Sequence, residues 1–276
     1  MRATPFTPHG DLIRWLDVPA ATPVDGSSAG PARVYLHGLG GTGAAAFGDI
    51  APHPALVGRR SVIVDLPGHG HSDRPNDFGY TLEDHSRAVA VVLDAEGLQD
   101  IELVGWSMGG SIAIVLAASR PELVARLVVV EANLDALPPS PTGLGSQRIS
   151  FQTEADWLAN GYAALVAANA DWAPTLRLCD ALAVYRSAVG TVTGSRPIMR
   201  ELLVGLPIPR TFIHGDRGEA LRDPEGLEAA GVRVVEIADA GHALMNDQPD
   251  AFASAVADAL ARLSPGRLMP TRARRN

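Results

Sequence analysis

The hydrophobic pattern of the chain alternates between short apolar runs and longer stretches with helical periodicity. The short runs are rich in β-branched residues and apolar at successive positions, which is typical of strands buried on both faces of a parallel sheet. We predict six such strands, at residues 34–36, 61–66, 101–105, 127–130, 211–213 and 233–237. The segment 11–18 predicts an antiparallel strand or hairpin before them.

Three helices are predicted between or after these strands, at residues 81–97, 107–119 and 249–263. The first has Thr81 as candidate N-cap, acidic residues in its first turn and Gly97 where it ends. The second stops before Pro121, and the third has a proline in its first turn. This alternation predicts an α/β fold, a doubly wound and mostly parallel sheet built from right-handed βαβ units.

One long segment interrupts the alternation. Residues 134–207 carry no strong strand signal, begin with a proline-rich stretch and continue with helix-like sequence that holds several aromatic residues. Because a segment of this length is too long for a loop, we expect a helical cap at 134–207. The core would then comprise residues 1–133 and 208–264, followed by a basic tail at 265–276. The arginines expected to form a solvated terminus there are Arg267, Arg272, Arg274 and Arg275.

The absence of lysine and the presence of a single cysteine exclude several kinds of active site. All 23 basic residues are arginine, which excludes a Schiff-base lysine, a pyridoxal-phosphate anchor, a P-loop lysine and a Ser–Lys dyad. The single cysteine, Cys179, excludes an intrachain disulfide and a zinc site built from several thiolates, and we expect a buried apolar thiol there. Abundant Ala, Gly, Pro and Arg without Lys is typical of the coding bias of a GC-rich bacterial genome.

Charge and hydropathy bear on partners and location. The formal net charge of −8 at pH 7 argues against a nucleic-acid partner. No apolar run reaches the roughly 18 residues of a membrane span, and the N-terminus lacks the apolar stretch of a signal peptide. We therefore expect a cytoplasmic protein with no membrane partner. Whether the cap contributes to a homodimer is left open by the pattern.

The strongest chemical motif is GWSMGG at residues 105–110, between a predicted strand and a predicted helix. It matches the G-x-S-x-G nucleophile elbow in the structural context that this motif requires. Glycines are needed because strand and helix approach closely at a tight, strained turn, which presents Ser107 at the carboxyl edge of the sheet. Ser107 is the candidate nucleophile, and the alternative is a glycine-rich turn with an inert serine.

Three further segments follow predicted strands: HGLGG at 37–41, DLPGHGHSD at 65–73 and AGH at 240–242. With the elbow, they make the chain resemble the α/β-hydrolase family over roughly residues 30–262. The resemblance implies the α/β-hydrolase fold with a helical cap after the sixth strand, Ser107 as nucleophile and His242 as general base. It also implies an oxyanion hole formed by the backbone amides of Leu39 and Met108.

The triad acid departs from the usual pattern of that family. Its members commonly carry an aspartate three residues after the glycine that follows the strand at 210–214, where this chain has Gly218. Some members instead carry the acid after the preceding strand, where this chain has Glu131. A carboxylate there is costly to bury without a partner, and an imidazolium supplies one. We predict Glu131 as the acid, with Asp216 second and Glu219 third; helix capping is the alternative role for Glu131.

The remaining candidates concern a pocket and a metal. Four candidate pocket residues are His37, Trp106, Trp157 and Trp172. Aromatic residues in a cap usually form its own core, which is the alternative for the cap tryptophans. His69, His71 and Asp73 offer nitrogen and oxygen ligands, yet they fall in a structural turn that the resembled family carries here. We therefore predict neither a metal nor a cofactor.

Together these residues predict acyl transfer. His242 takes the proton from Ser107, which attacks an ester carbonyl, and water then hydrolyses the acyl-serine with His242 again as base. The expected partner is a small apolar ester substrate. A thioesterase, a carbon–carbon bond hydrolase and a cofactor-free perhydrolase would use the same triad, and a small-molecule receptor is the alternative outside the enzymes. A serine at the elbow argues against haloalkane dehalogenase and epoxide hydrolase chemistry, for which the family uses aspartate.

Overall fold

One sheet organises the part of the chain that the computed structural model describes, residues 1–20, 30–143 and 145–261. Its eight strands within those residues are β1 (Arg2–Pro5), β2 (Leu12–Val18), β3 (Arg33–Leu36), β4 (Ser61–Asp65), β5 (Ile101–Trp106), β6 (Val124–Val130), β7 (Arg210–Gly215) and β8 (Arg233–Ile237). Their order across the sheet is β1-β2-β4-β3-β5-β6-β7-β8. Strands β3 to β8 are parallel, while β1 and β2 form a hairpin that joins β4 in antiparallel fashion. The predicted mostly parallel sheet is confirmed.

The predicted strands are all present, with ends that differ by up to three residues. The first strand of the hairpin, β1, has no strong pattern of its own because it lies at the sheet edge, is largely exposed and ends in Pro5. Proline is tolerated at such an edge, where no ladder hydrogen bond is lost. The hairpin predicted at 11–18 is therefore real, but its first strand begins much nearer the N-terminus.

Helices flank the sheet and also fill the segment between β6 and β7. They are α1 (Gly43–Phe47), α2 (Leu82–Ala95), α3 (Met108–Ser119), α4 (Gly145–Ser150), α5 (Glu154–Asp156), α6 (Tyr162–Ala168), α7 (Ala173–Leu176), α8 (Ala181–Thr193), α9 (Met199–Gly205), α10 (Pro224–Ala229), α11 (Leu244–Asp247) and α12 (Pro249–Ala261), with a π-helical turn at Trp157–Gly161. The N-cap predicted for α2 is confirmed, because Thr81 and Asp84 exchange side-chain to backbone hydrogen bonds of 3.1 and 3.2 Å in a capping box. The last two residues of the helix predicted at 249–263 and the basic tail at 265–276 lie outside the described residues.

Alternate residues of the strands supply two cores, one on each face of the sheet. Val34 and Leu36 pack on the side of α2 and α3, whereas Tyr35 between them packs on the opposite side with Phe47 and Phe252. This two-sided burial is why the strands are apolar at successive positions. None of the described helices is both long and apolar enough to cross a membrane.

The segment between β6 and β7, where a cap is predicted, is helical and has a small core of its own. Helices α4 to α9 and the π-helical turn lie in this segment. Its buried cluster consists of Ile149, Trp157, Cys179, Val184 and Ala188. These five side chains pack together inside the segment, whereas Phe151, Leu158, Leu178 and Ile198 are exposed.

Candidate active site

Ser107 lies in the turn from β5 to α3 with φ 53° and ψ −122°, a conformation that costs free energy for a residue with a side chain. It precedes the first residue of the helix, but its side chain makes no capping hydrogen bond. A Cβ at Gly109 would lie 2.3 Å from the carbonyl oxygen of Leu36, so only glycine allows α3 to approach β3 this closely. The elbow predicted from GWSMGG therefore has the strained geometry that presents the hydroxyl.

His242 lies in the loop after β8, with Nε2 3.1 Å from Oγ of Ser107. The indole of Trp106 holds this loop, because its Nε1 donates a hydrogen bond of 2.8 Å to the carbonyl oxygen of His242. The imidazole is half-exposed, at 54% of its side-chain surface. A ring placed in this way can accept the hydroxyl proton and can also meet a water molecule or a leaving group.

Glu131 directly follows β6 and completes the line of three side chains. Its Oε2 lies 3.3 Å from Nδ1 of His242, and its Oε1 accepts a hydrogen bond of 2.8 Å from the Gly215 amide. The carboxylate side chain is only 4% exposed and the residue has φ 50°. In the tautomer with a proton on Nδ1, the ring donates to Glu131 and leaves Nε2 free to accept from Ser107. A helix-capping role for Glu131 has no support in these contacts.

Gly218 leaves room for the carboxylate of Glu131. A Cβ at Gly218 would lie 2.8 Å from Oε1 of Glu131 and 3.1 Å from Oε2. The Glu131 carboxylate therefore fills the space that a side chain at 218 would need. Asp216 is exposed and accepts a hydrogen bond from the Ala240 amide, and Glu219 is exposed. Among the described residues, the carboxylate that pairs with His242 is that of Glu131.

The loop that carries Leu39 is held from below by buried polar groups. The ring of His37 accepts a hydrogen bond of 3.0 Å from the Leu66 amide and lies 2.8 Å from the carbonyl oxygen of Gly38. Oδ1 of Asp65 accepts a hydrogen bond of 2.8 Å from the Gly43 amide. Within the described residues, the amides of Leu39 and Met108 have no backbone hydrogen-bond partner. Both amides can therefore donate to a ligand oxygen.

A cavity of about 450 Å³ opens beside the three side chains. Its wall includes Ser107, Glu131 and His242, together with residues that follow β6 and β7. The members of those two segments are Ala132, Asn133, Leu134, Asp135, Leu137, Arg217, Gly218, Glu219, Ala220, Leu221 and Arg222. Sequence reasoning names Gly218 and Glu219 only in connection with the acid and misses the others as cavity residues, although their position after two parallel strands at the same sheet edge is a signal that could have found them.

The four residues predicted to line a pocket are not among those that line this cavity. His37 is fully buried under the Leu39 loop, and Trp157 is fully buried in the cap core with its Nε1 bonded to the carbonyl oxygen of Ala181. Trp106 supports the His242 loop, and Trp172 packs against the cap cluster. For Trp157 the physical reason is that a large apolar ring is stabilised more by full burial than by lining an open cavity.

The three side chains considered as metal ligands, those of His69, His71 and Asp73, have different surroundings. His69 is fully buried, and burial lowers its pKa to about 3. His71 lies 3.0 Å from Asp65, whereas Asp73 pairs with Arg14. Across the described ranges, no group of three His, Cys, Asp or Glu side chains could hold a metal ion.

Cys179 is buried in the cap, as expected for an apolar thiol. Burial raises the pKa of the Cys179 thiol to about 12. A thiol with this pKa is not a nucleophile near neutral pH. The chemistry of the site therefore depends on Ser107.

Comparison with known proteins gives matches across most of the chain. Residues 32–171 match the family model described as alpha/beta hydrolase fold. The chain is 31% identical to the 2-succinyl-6-hydroxy-2,4-cyclohexadiene-1-carboxylate synthase of Yersinia pestis bv. Antiqua (strain Nepal516), covering 88% of this chain and 90% of that protein.

Solved structures share the fold at lower sequence identity. A thermophilic esterase from Thermogutta terrifontis has a TM-score of 0.75 at 19% identity, covering 94% of this chain and 97% of that one. The enol-lactonase from Burkholderia xenovorans LB400 has a TM-score of 0.73 at 23% identity, covering 92% and 98%. With the matching family model, the sheet order and the elbow, these findings establish that the chain belongs to the α/β-hydrolase fold family of enzymes.

Proposed function

We propose that this protein is a serine hydrolase that cleaves a carboxylic ester through an acyl-serine intermediate. The observation that carries the proposal is the contact line from Ser107 Oγ to His242 Nε2 at 3.1 Å and from His242 Nδ1 to Glu131 Oε2 at 3.3 Å. This is the geometry in which a base activates a nucleophile and a buried carboxylate orients the base. An apolar group of the substrate would lie on Leu134, Leu137, Phe212 and Leu221 of the cavity wall.

In the proposed reaction the Ser107 hydroxyl gives its proton to His242 Nε2 as Oγ attacks the ester carbonyl carbon. The resulting oxyanion accepts hydrogen bonds from the amides of Leu39 and Met108. The carbon–oxygen bond to the alcohol then breaks, and the alcohol leaves with the proton from His242. Water attacks the acyl-serine by the same route in reverse, giving the carboxylic acid and free Ser107. Glu131 remains ionised throughout and stabilises the imidazolium.

The Yersinia pestis relative favours a second candidate function. That protein is named a synthase of a cyclohexadiene carboxylate, and it matches this chain over most of its length. In that reaction, His242 and Ser107 would transfer a proton on a carboxylate-bearing substrate, and no acyl-enzyme would form. Thioester hydrolysis, carbon–carbon bond hydrolysis and perhydrolysis share the triad and have no separate observation in their favour.

Two measurements on the wild type and Ser107→Ala test the proposal. The wild type should hydrolyse p-nitrophenyl esters and should be labelled by a fluorophosphonate, with the adduct on Ser107 found by peptide mass spectrometry. Ser107→Ala should lose both the label and at least about 10³-fold of the rate. A folded wild type whose Ser107 is labelled but which hydrolyses no ester would favour the second candidate. A serine that takes no label would overturn nucleophilic catalysis and favour a receptor.

A further inference from the structure

Trp106 is the residue directly before the candidate nucleophile, at the end of β5. Its main chain is fixed by the sheet, because Trp106 pairs with Val130 of β6 and the Ser107 amide donates a hydrogen bond of 2.7 Å to the carbonyl oxygen of Val130. Trp106 is half-buried and packs against the apolar core on the face of the sheet that carries Phe252. The indole is therefore attached to the same strand end that holds Ser107.

One contact of this indole holds the candidate general base. Its Nε1 donates a hydrogen bond of 2.8 Å to the carbonyl oxygen of His242. Within the described residues, that carbonyl oxygen has no backbone hydrogen-bond partner, so the indole is what fixes its direction. The centroids of the indole and the imidazole are 5.6 Å apart, and the two planes are tilted by 47°. The main chain and the ring of His242 thus both lie against Trp106.

A second contact of the indole reaches the loop that carries the candidate oxyanion amide of Leu39. A Cβ at Gly38 would lie 3.1 Å from Cε3 of Trp106 and 3.2 Å from Cβ of Ser107, so the Gly38 main chain packs against both residues. The Gly38 carbonyl oxygen accepts a hydrogen bond of 3.1 Å from the Gly41 amide. Because the peptide unit between Gly38 and Leu39 is planar, the position of Gly38 sets the direction in which the Leu39 amide points.

We infer that Trp106 is a positioning residue, which holds His242 and the Leu39 loop in fixed positions relative to Ser107. The inference rests on the proposed function, in which His242 is the base and Leu39 supplies an oxyanion donor. Proton transfer and oxyanion stabilisation both require exact geometry, and a misplacement of about 1 Å can cost about a hundredfold in rate. Because Trp106 is not among the residues that line the cavity, its loss should lower turnover and leave substrate affinity nearly unchanged.

Two substitutions at position 106 separate the two contacts. Trp106→Phe keeps an aromatic ring beside Gly38 but removes the donor to His242, and Trp106→Ala removes both contacts. For p-nitrophenyl esters, kcat should fall by about tenfold in Trp106→Phe and by about a hundredfold in Trp106→Ala, with KM changed by less than about threefold. Trp15→Phe is the matched control and should keep the wild-type kcat and KM. Trp15 is a tryptophan of β2 that is 2% exposed, and its Nε1 has no hydrogen-bond partner among the described residues.

The rate at which a fluorophosphonate labels Ser107 gives a second measurement that does not require turnover. In this reaction Oγ of Ser107 forms a bond to phosphorus and displaces fluoride, while His242 takes the hydroxyl proton. The phosphoryl oxygen accepts from the same amides as the ester oxyanion would. The labelling rate should therefore fall in Trp106→Phe and Trp106→Ala in parallel with kcat, and it should be unchanged in Trp15→Phe.

The two measurements together separate this inference from the proposed function. If the wild type hydrolyses esters and Trp106→Phe matches it in kcat and labelling rate, or only raises KM, the positioning role is overturned and the proposed function stands. If the wild type is labelled but hydrolyses no ester, and Trp106→Phe slows the labelling, the positioning role stands and the proposed function fails. If Trp15→Phe loses as much of both rates as Trp106→Phe, the loss reflects general stability and the positioning role is also overturned.

Discussion

At the scale of single residues, the decisive feature is the carboxylate that faces His242. Glu131 should orient the imidazole ring because its Oε2 lies 3.3 Å from Nδ1 of His242. The carboxylate is buried, so water does not compete with the ring for its oxygen atoms. Glu131→Gln should therefore lower kcat by about 10²- to 10⁴-fold with little change in thermal stability, since an amide cannot hold the same tautomer. Steady-state kinetics on Glu131→Gln and Asp216→Asn check this. A large loss in Asp216→Asn with none in Glu131→Gln would show that the acid is misassigned.

The close contact between Gly218 and Glu131 predicts that the acid can be moved. Gly218→Asp alone should lose at least about tenfold in kcat, because its Cβ would meet the Glu131 carboxylate at 2.8 Å. Glu131→Ala alone should also be impaired. The double variant Glu131→Ala/Gly218→Asp should exceed both single variants by about tenfold, since the space is vacated and a carboxylate is restored. The matched control is Glu131→Ala/Gly218→Ala, which removes the clash without supplying an acid; equal rates in the two double variants would refute the exchange.

At the scale of elements, the cap is part of the support of the Leu39 loop. A Cβ at Gly40 would lie 2.7 Å from Leu176 and 2.8 Å from Trp172, so these two cap side chains pack directly against the loop. The Cys179 thiol also lies 3.7 Å from the carbonyl oxygen of Gly41. The loop is thus held by the cap above and by His37 below. The position of the Leu39 amide, a candidate oxyanion-hole donor, therefore depends on contacts from two distant parts of the chain.

Removing one of these contacts should act on turnover more than on binding. Trp172→Ala should lower kcat by about tenfold with KM changed by less than about threefold, because the Leu39 amide would lose its fixed direction. Leu178→Ala, an exposed neighbour in the same segment, is the control and should behave as the wild type. Equal changes of kcat and KM in Trp172→Ala, or a rise in KM alone, would instead indicate that the ring contacts the substrate.

At the scale of the whole molecule, three fully buried histidines join the sheet to the cap. The ring centroids of His37 and His69 are 5.3 Å apart, and those of His69 and His85 are 6.3 Å apart. Nε2 of His85 lies 2.9 Å from the hydroxyl of Ser187 in α8. Burial lowers the pKa of all three imidazoles, that of His69 to about 3 and that of His85 well below its usual value. The folded protein therefore keeps these rings neutral.

This burial predicts a loss of stability in mild acid. Below the ordinary histidine pKa of 6.5, the unfolded chain binds protons at these imidazoles and the folded protein does not. The free energy of unfolding therefore falls as the pH decreases. The loss should be on the order of 1 kcal/mol per buried histidine in the first pH unit below that value. Urea unfolding at several pH values between about 7.5 and about 5, which span the ordinary histidine pKa, measures how steeply the free energy of unfolding falls. His85→Gln should flatten that slope, and an unchanged slope would mean that His85 does not contribute.

The order of the core strands and helices and the elbow at Ser107 could be predicted from the sequence, because local patterns specify them. The pairing of Ser107 with His242 is predicted from the resemblance to the α/β-hydrolase family. Apolar runs encode burial on both faces, and glycines encode the tight turn. The choice of Glu131 was reachable in part, since an acid that ends an apolar strand must find a partner. Glu131 could not be separated from Asp216 and Glu219 by spacing alone.

Only the tertiary structure decided what depends on distance between remote segments. It placed the Glu131 carboxylate in the space next to Gly218 and buried Trp157 and His37 outside the wall of the candidate cavity. A pattern along the chain reports how each residue is buried, whereas a cavity is the space that many segments leave unfilled together. The candidate catalytic residues could therefore be proposed from the sequence, whereas the shape of the candidate cavity follows from tertiary packing.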